Sequence, residues 1–401
     1  MLKKLDYTKI YYYSYLCFAF TLPLSRGSLS FFSIFLLIVW LIEGNLKDKF
    51  YNISNNKILI ALALFLFWSF LSCFWSENSN EAINKIIKYR YLLLPFIIYT
   101  TFDKNHINKA ISLFLSGIFI SEIISYGVYF GLWQFKHASI LSPSPFMMHI
   151  DYSIFLAFSS ILLLNRLLYN NYTFLTKVIY SIFFLTVTGN LFLQIGRTGQ
   201  ISYMIAIVVL MIIHFRITFK SIIISILTIS LISSTAYKIS PNFQNRVFKT
   251  QNEITTIMQN DLRSSIGIRI SFWIVTYNIL SQDLKTFLIG TGFGDYSNSM
   301  KNQMQNNQNI YTNYKLDTTF ISNNHPHNQY LTNLLQSGFI GFSLFLLIFY
   351  YILKKQYLTT ELKELSILFS VIFLTSCLTE PLLFKQFTLA LVSFFIGIFS
   401  L

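Results

Sequence analysis

Two histidines stand in the run 323–330, which reads Asn-Asn-His-Pro-His-Asn-Gln-Tyr. A histidine ring exchanges protons near neutral pH, so His327 and His325 are candidates for a general base. Asn328 could hold a sugar hydroxyl or orient a histidine ring. The structural alternative is a helix start, because Asn and His often begin helices and proline fits just before one. A metal site on the two histidines is not predicted, since neither cysteine nor a carboxylate cluster lies nearby in the sequence.

Arg197 lies in the run 194–200, Gln-Ile-Gly-Arg-Thr-Gly-Gln, between two apolar segments. Insertion of an arginine near the bilayer centre costs roughly 2.5–3.5 kcal/mol, so an arginine at this position is expected to have a role. Its guanidinium can bind phosphate in a two-pronged manner, and the flanking glycines would let a ligand approach the backbone. The alternative is an arginine that extends its charge to the membrane surface.

Arg269 lies in the segment 264–282, whose apolar spacing predicts an amphipathic helix. Ser265 would lie one turn away on the same side. Arg269 is therefore a second candidate for anion binding, and the alternative is a solvated helix face.

Weaker candidates are placed at or inside predicted membrane helices. Glu122 lies within an apolar run, and an acid inside the membrane is a functional candidate by default, although it could pair with another helix. His149 and Asp151 stand at the outer start of one helix, and Lys88 and Arg90 at the outer start of another. Each pair could contact an anionic lipid headgroup or simply anchor its helix.

The composition requires a lipid environment for the elements that hold these residues. The chain of 401 residues is 54% hydrophobic and only 11% charged, with 42 Phe and 25 Tyr. Soluble domains carry roughly 25% charged residues, so this chain could not cover a water-facing surface. The net charge of +14 is spread between apolar runs, which indicates membrane topology rather than nucleic-acid binding. Cys17, Cys73 and Cys377 are far apart and predict neither a disulfide framework nor a zinc site.

Apolar segments predict an all-α integral membrane protein of about twelve transmembrane helices. The predicted spans are 10–25, 28–43, 58–75, 88–102, 109–132, 147–165, 173–193, 199–215, 218–236, 328–353, 364–380 and 384–400. Lys and Arg are more frequent in the inner loops of this arrangement than in its short outer loops, so both termini are predicted to be cytoplasmic.

A polar segment interrupts the apolar pattern and divides the chain into three parts. Residues 1–236 hold the first nine predicted helices, 237–327 form a large, partly helical outer loop, and 328–401 hold the last three. The Gly-rich run 290–294 in this loop lacks the lysine and preceding strand of a phosphate loop, so it is predicted to be a helix-ending turn.

This arrangement resembles the O-antigen ligase and polymerase family of bacterial envelopes. The resemblance covers most of 60–400 and rests on the order and spacing of short motifs. These are Gly-Arg-Thr-Gly at 196–199, Gly-Ile-Arg-Ile-Ser-Phe-Trp at 267–273, Leu-Ile-Gly-Thr-Gly-Phe-Gly at 288–294, His-Asn-Gln-Tyr-Leu at 327–331 and Gly-Phe-Ile-Gly at 338–341.

The resemblance implies a reaction at the periplasmic face of the bacterial inner membrane. Such enzymes take a glycan from undecaprenyl diphosphate, and ligases pass it to the lipid A–core. They are similar to inverting transferases that need no metal and no other cofactor. The family's essential arginines would fall on Arg197 and Arg269 and its histidine on His327, which would act as a base or hold the acceptor by hydrogen bonding.

The sequence is compatible with three functions. A ligase is the first. A polymerase, or a protein O-oligosaccharyltransferase, would use the same undecaprenyl-diphosphate-linked donor with a different acceptor. A polysaccharide or lipid transporter would place its ionisable residues at mid-membrane and show internal repeats, whereas here the arginines and histidines gather at the outer edge.

Overall fold

The computed structural model describes residues 6–169, 171–215, 218–307, 311 and 314–401. Over these residues the chain is helical, with isolated β-bridges joining Ser139 to Ser142 and Asp261 to Lys315. The predicted all-α class is therefore confirmed.

Within the described residues, eleven helices precede the large polar segment. They are α1 (Tyr7–Thr21), α2 (Arg26–Glu43), α3 (Leu46–Ser54), α4 (Lys57–Leu71), α5 (Ser79–Ile86), α6 (Leu94–Thr101), α7 (Ile107–Tyr129), α8 (His149–Tyr169), α9 (Phe174–Leu193), α10 (Arg197–Phe215) and α11 (Phe219–Ile239). Short 3₁₀ segments at Ile87–Leu93 and Lys104–His106 lead into α6 and α7.

The polar segment and the remainder of the chain contribute eight more helices to the described structure. They are α12 (Pro241–Met258), α13 (Ser265–Leu280), α14 (Leu284–Ile289), α15 (Tyr296–Asn306), α16 (Thr318–Asn323), α17 (Gln329–Lys354), α18 (Thr360–Cys377) and α19 (Gln386–Ser400). The helix expected over 264–282 is present as α13. The Gly-rich run begins directly after α14, as a helix-ending turn, with Gly290 as the C-cap.

Six helices in the described residues are long and apolar enough to cross a membrane. They are α2, α7 with its 3₁₀ lead, α8, α9, α10 and α17, and α3 with α4 would add a seventh as a pair bent by 102°. The count of twelve therefore stays a prediction. One predicted span, 88–102, is divided between the 3₁₀ turn Ile87–Leu93 and the short α6.

The outer surface of α2 shows why lipid is the natural solvent. Phe31, Ile34, Ile38 and Ile42 follow one another at helical spacing and are 60%, 47%, 49% and 66% exposed. A soluble monomer rarely exposes such a continuous apolar stripe. Contact with lipid tails explains the stripe.

Two helices form the centre of the bundle. In α19 every residue from Phe387 to Ser400 is buried, and α8 is buried on nearly all sides. A helix that is apolar all round is a core helix. Because α8 and α19 both begin beside the site described below, the core fixes the position of their first residues.

The polar segment is docked onto the helices through the Gly-rich turn. Asp295 accepts hydrogen bonds from Ser76 Oγ at 2.9 Å and from the backbone N–H groups of Glu77 and Asn78 at 2.6 and 3.0 Å. Thr291 N–H donates to the Leu335 carbonyl of α17 at 2.7 Å. The segment that carries α13 therefore has defined contacts with both the α4–α5 connection and α17.

Gly338 is the point at which α17 is interrupted, with φ +63°. A Cβ at this position would lie 2.3 Å from the Leu288 carbonyl, so only glycine permits the close approach of α14.

Candidate active site

His327 lies just before α17, with its ring directed at the carboxylate of Glu380. The distance from His327 Nδ1 to Glu380 Oε1 is 3.2 Å. An ionised carboxylate only accepts hydrogen bonds, so the proton of neutral His327 belongs on Nδ1. The lone pair of Nε2 is then left to accept a proton from a substrate. The side chain of His327 is 24% exposed, so a ligand can reach it.

Glu380 is buried, with 2% of its side chain exposed, and it is held in its charged form. Burial raises the pKa of this carboxyl, but the hydrogen bond with His327 and the charge of Lys385 outweigh burial and lower the pKa to about 2. Lys385 Nζ lies 3.0 Å from Glu380 Oε2 and 3.5 Å from Asp151 Oδ1. The carboxylate therefore orients His327 and is itself fixed by a lysine.

The backbone around His327 explains why the ring points this way. His327 has φ +48°, a conformation uncommon for residues other than glycine. Asn328 is the N-cap of α17, and its Oδ1 accepts the N–H groups of Tyr330 and Leu331. Its amide also donates to the Leu378 carbonyl at 3.0 Å, which joins this turn to the end of α18. Asn328 thus makes the contacts of a helix cap, the structural alternative considered for it.

His325 stays uncharged at neutral pH. Burial, followed by the neighbouring His327, lowers the pKa of His325 to about 4. Its Nδ1 accepts the backbone N–H of His327 at 3.2 Å, and the two ring centroids are 4.3 Å apart. His325 therefore supports the conformation of the loop that carries His327.

The same residues include a geometric set of metal ligands. One ligand atom each of His325, His327 and Glu380 lie within 4.8 Å of one another. Imidazole nitrogen and carboxylate oxygen are ligands that Zn²⁺ accepts. The sequence did not indicate this set, because Glu380 is far from the histidines along the chain.

Arg197 and Arg269 converge on one hydroxyl group. Arg197 donates to Ser265 Oγ at 3.0 Å and Arg269 donates to the same atom at 2.9 Å. Arg269 also donates to the Ser265 carbonyl at 2.8 Å, and Arg197 donates to Thr250 Oγ1 at 3.0 Å. The two arginines, predicted separately, thus form one cationic centre at the start of α13.

A third arginine and one carboxylate complete the charge of this centre. Glu253 lies 3.6 Å from Arg197 and is buried. Burial and the charge of Arg197 lower the pKa of Arg246, and burial lowers the pKa of Arg269. Guanidinium groups stay protonated despite such shifts. Arg246, Arg197 and Arg269 therefore hold an excess of positive charge that an anion would relieve.

Aromatic side chains connect this cationic centre with His327. Phe272 lies one turn beyond Arg269 on α13, and its ring centroid is 6.1 Å from that of His327. Phe320 of α16 stacks on the His327 ring at 6.0 Å with an interplanar angle of 12°, and its centroid lies 6.5 Å from that of Phe272. The His327 ring thus packs in one aromatic cluster with side chains of α13 and α16.

The glycines around Arg197 allow α10 to start against α8. A Cβ on Gly196 would lie 2.7 Å from the His149 carbonyl, and one on Gly199 would lie 2.2 Å from the Ser153 carbonyl. The glycines predicted to admit a ligand are therefore occupied by α8. They bring Arg197 close to the first turn of α8, where Asp151 pairs with Lys385.

The remaining candidates fall into two places. Lys88 and Arg90 line a cavity of about 430 Å³ together with Asp151 and Lys385. Glu122 is buried in α7 with Thr186 of α9 beside its carboxyl, and its described contacts do not include the residues of the candidate active site. The structure thus places Lys88, Arg90 and Asp151 on one cavity and His149 on another that shares Met148 with it, and Glu122 lines neither.

The segment that holds this site matches a known family model. Residues 182–346 match the family model described as O-antigen ligase, a range that includes Arg197, Arg269 and His327. A protein of Haemophilus influenzae described as uncharacterized is 25% identical over 337 residues, which cover 80% of this chain and 79% of that protein. The segment that holds the candidate site is therefore similar to the O-antigen ligase family.

Proposed function

We propose that this protein transfers a glycan from undecaprenyl diphosphate to the lipid A–core at the periplasmic face of the bacterial inner membrane. The observation that carries the proposal is the convergence of Arg197 and Arg269 on Ser265 Oγ beside the base His327. A diphosphate leaving group and an acceptor hydroxyl need these two kinds of residue close together.

The reaction is a single displacement at the anomeric carbon of the donor sugar. His327 Nε2 takes the proton of the acceptor hydroxyl while the hydroxyl oxygen attacks, a role typically worth about 10²–10⁴-fold. The bond between the anomeric carbon and the diphosphate oxygen breaks, and the electron pair leaves with undecaprenyl diphosphate. Arg197 and Arg269 stabilise the negative charge that develops there. Attack from the opposite side inverts the anomeric configuration.

Glu380 contributes to the proton transfer without touching the substrate. Its hydrogen bond keeps the proton of neutral His327 on Nδ1 and stabilises the imidazolium that forms during transfer. Lys385 limits the movement of the carboxylate from the other side.

The orientation in the membrane follows from the distribution of charge. Both termini are proposed to lie in the cytoplasm, with 237–327 outside it and about twelve crossings in total. The donor and acceptor then meet at the outer edge of the bilayer, where a lipid-linked substrate enters from the side.

The test is transfer by the purified protein in nanodiscs, supplied with glycan-loaded undecaprenyl diphosphate and lipid A–core. We expect a shifted lipopolysaccharide band that disappears with His327→Ala and persists with His106→Ala, a substitution outside the candidate site. Growth of the glycan on its own lipid would identify a polymerase instead. No product from a donor shown to be competent with another enzyme would refute both and favour a transporter.

A further inference from the structure

Two cavities that share lining residues lie near the starts of α2 and α8, and Lys385 lines one of them. The larger, of about 530 Å³, is lined by Arg26, Lys136, His137 and His149. The smaller, of about 430 Å³, holds Lys88, Arg90 and Lys385 and also includes Arg26. Arg26 and Met148 line both cavities, so the two are neighbours, and we call them together the basic cavity.

Four cations of the basic cavity have no carboxylate partner among the residues that the structure describes. Arg26, Lys88, Arg90 and Lys136 form none of the ion pairs found there, whereas Lys385 pairs with both Asp151 and Glu380. With Asp151 neutralised by that pairing, the cavity has a clear excess of positive charge. Such an excess favours an anionic ligand.

The guanidinium of Arg90 has a donor that lacks a hydrogen-bond acceptor. Its Nε is buried with no hydrogen-bond partner in the described structure. Its Nη1 donates to the Ile87 carbonyl and its Nη2 to Ser30 Oγ and Tyr91 Oη, each over a long 3.5 Å. A buried polar group without a partner costs free energy, and an arginine satisfies this need best with a phosphate or a carboxylate.

Lys136 is positioned in the same cavity by aromatic rings. Its Nζ lies 5.1 Å from the ring centroids of Phe135 and Phe146, with φ +48° at its own backbone. The rings fix the ammonium without neutralising it. A ligand would therefore meet a lysine that is already in place.

We propose that the basic cavity binds the phosphorylated sugar headgroup of the glycolipid acceptor, through phosphate contacts with Arg26, Arg90 and Lys136. This inference rests on the proposed function and names the acceptor subsite. The ligand class is a glycolipid whose headgroup carries at least one monoester phosphate.

The placement relative to His327 favours the acceptor over the donor. His327 touches Phe272 of α13, the helix that carries Arg269, and it also touches Glu380, which is paired with Lys385 of the basic cavity. The base thus lies between two cationic groups. A transfer reaction needs donor and acceptor to meet at the base, and in the proposed mechanism the arginines of α10 and α13 already serve the donor diphosphate.

The experiment measures binding without donor, in nanodiscs of phosphatidylcholine. The probes are a lipid A–core bearing glucosamine phosphates and the same glycolipid after removal of those phosphates. The variants are Arg26→Gln with Lys136→Gln, and separately Arg90→Gln. The matched control is Lys301→Gln, an exposed lysine of the outer loop that does not line the cavity.

We expect the double variant to raise the Kd for the phosphorylated probe about tenfold and to leave the Kd for the dephosphorylated probe unchanged. Arg90→Gln should act in the same direction and Lys301→Gln should not. In transfer assays the double variant should raise the acceptor KM and leave the donor KM unchanged.

Equal affinity of the wild-type protein for the two probes would overturn the proposal. So would full displacement of the phosphorylated probe by millimolar inorganic phosphate, or by phosphatidylglycerol placed in the nanodisc, because each would show a general anion site. The binding measurement does not depend on turnover. A wild-type protein that binds the probes as expected but transfers no glycan would therefore refute the proposed function alone.

Discussion

Glu380 Oε1 lies 3.2 Å from His327 Nδ1, although 53 positions separate the two residues in the chain. The second oxygen of Glu380 lies 3.0 Å from Lys385 Nζ. One buried carboxylate thus links the base of the site to the lysine that borders the basic cavity. This link gives Glu380 a positioning role that can be tested by substitution.

We expect Glu380→Gln to reduce kcat by about 10²-fold with little change in the donor KM. The amide can turn its NH₂ group to His327, which then presents the wrong ring nitrogen to the substrate. Steady-state transfer kinetics provide the measurement, with Glu77→Gln as a control at an exposed acid. A kcat within twofold of the wild-type value would remove Glu380 from the mechanism.

The residues proposed for the site can be named from the sequence more readily than their partners. Arg197, Arg269 and His327 stand in motifs that can be recognised locally. Glu380 and Lys385 lie after α18, where nothing in the local sequence indicates a contact with His327. Such contacts depend on how helices pack, and apolar periodicity does not specify that packing.

The helical class followed from composition, but the breaks within helices did not. The pair α3 and α4 bends by 102° at the short connection between them, and α17 is interrupted at Gly338. The interruption at Gly338 exists because the backbone of Leu288 approaches within 2.3 Å of the position of a Cβ. Gly338 and Leu288 are 50 residues apart in the sequence, so the glycine is the only indication of their contact in the local sequence.

Arg269→Lys should lower kcat/KM for the donor by at least about tenfold. Lysine carries the same charge, but it cannot donate to Ser265 and to a phosphate oxygen in the fixed fork of a guanidinium. Kinetics with varied donor concentration test this. The exposed Arg263, which pairs with Asp261, offers a matched Arg→Lys control outside the centre. Equal losses in both variants would show that the effect is not specific to the site.

Removal of metal ions should leave transfer unchanged, because the arginines stabilise the leaving group in the proposed mechanism. Added Zn²⁺ should inhibit, since His325, His327 and Glu380 offer ligand atoms within 4.8 Å of one another and a bound ion would occupy the base. The measurement is activity with a chelator, then with Zn²⁺, then with both. Activity lost to the chelator and regained with a divalent ion would contradict the proposed mechanism.

Asp295→Asn should lower the thermal stability of the protein in detergent by the equivalent of about 1–3 kcal/mol. The carboxylate accepts three hydrogen bonds from residues 76–78, and an amide nitrogen would face one of those donors. Asp317→Asn is the control, because Asp317 caps α16 and Asn caps helices equally well. Equal melting temperatures for the two variants would mean that the contacts of Asp295 do not hold the outer loop in place.

The stability of the site should fall in mildly acidic solution because His325 is held neutral. Burial lowers the pKa of His325 to about 4 in the folded protein, from 6.5 for an unperturbed histidine. Above pH 6.5 both folded and unfolded forms are neutral, so protonation makes no difference to stability. As the pH falls from 6.5 to 4 the unfolded form binds a proton that the folded form excludes, and stability decreases.

Glu380 cannot account for a loss of stability in this range. Its pKa is lowered to about 2 despite burial, so its contribution to stability is lost only below about pH 4.5. We therefore expect the melting temperature to drop between pH 7 and pH 5 in the wild-type protein and to drop less in His325→Gln. His106→Gln should keep the wild-type dependence. A His325→Gln variant with the full wild-type pH dependence would show that another group controls acid stability.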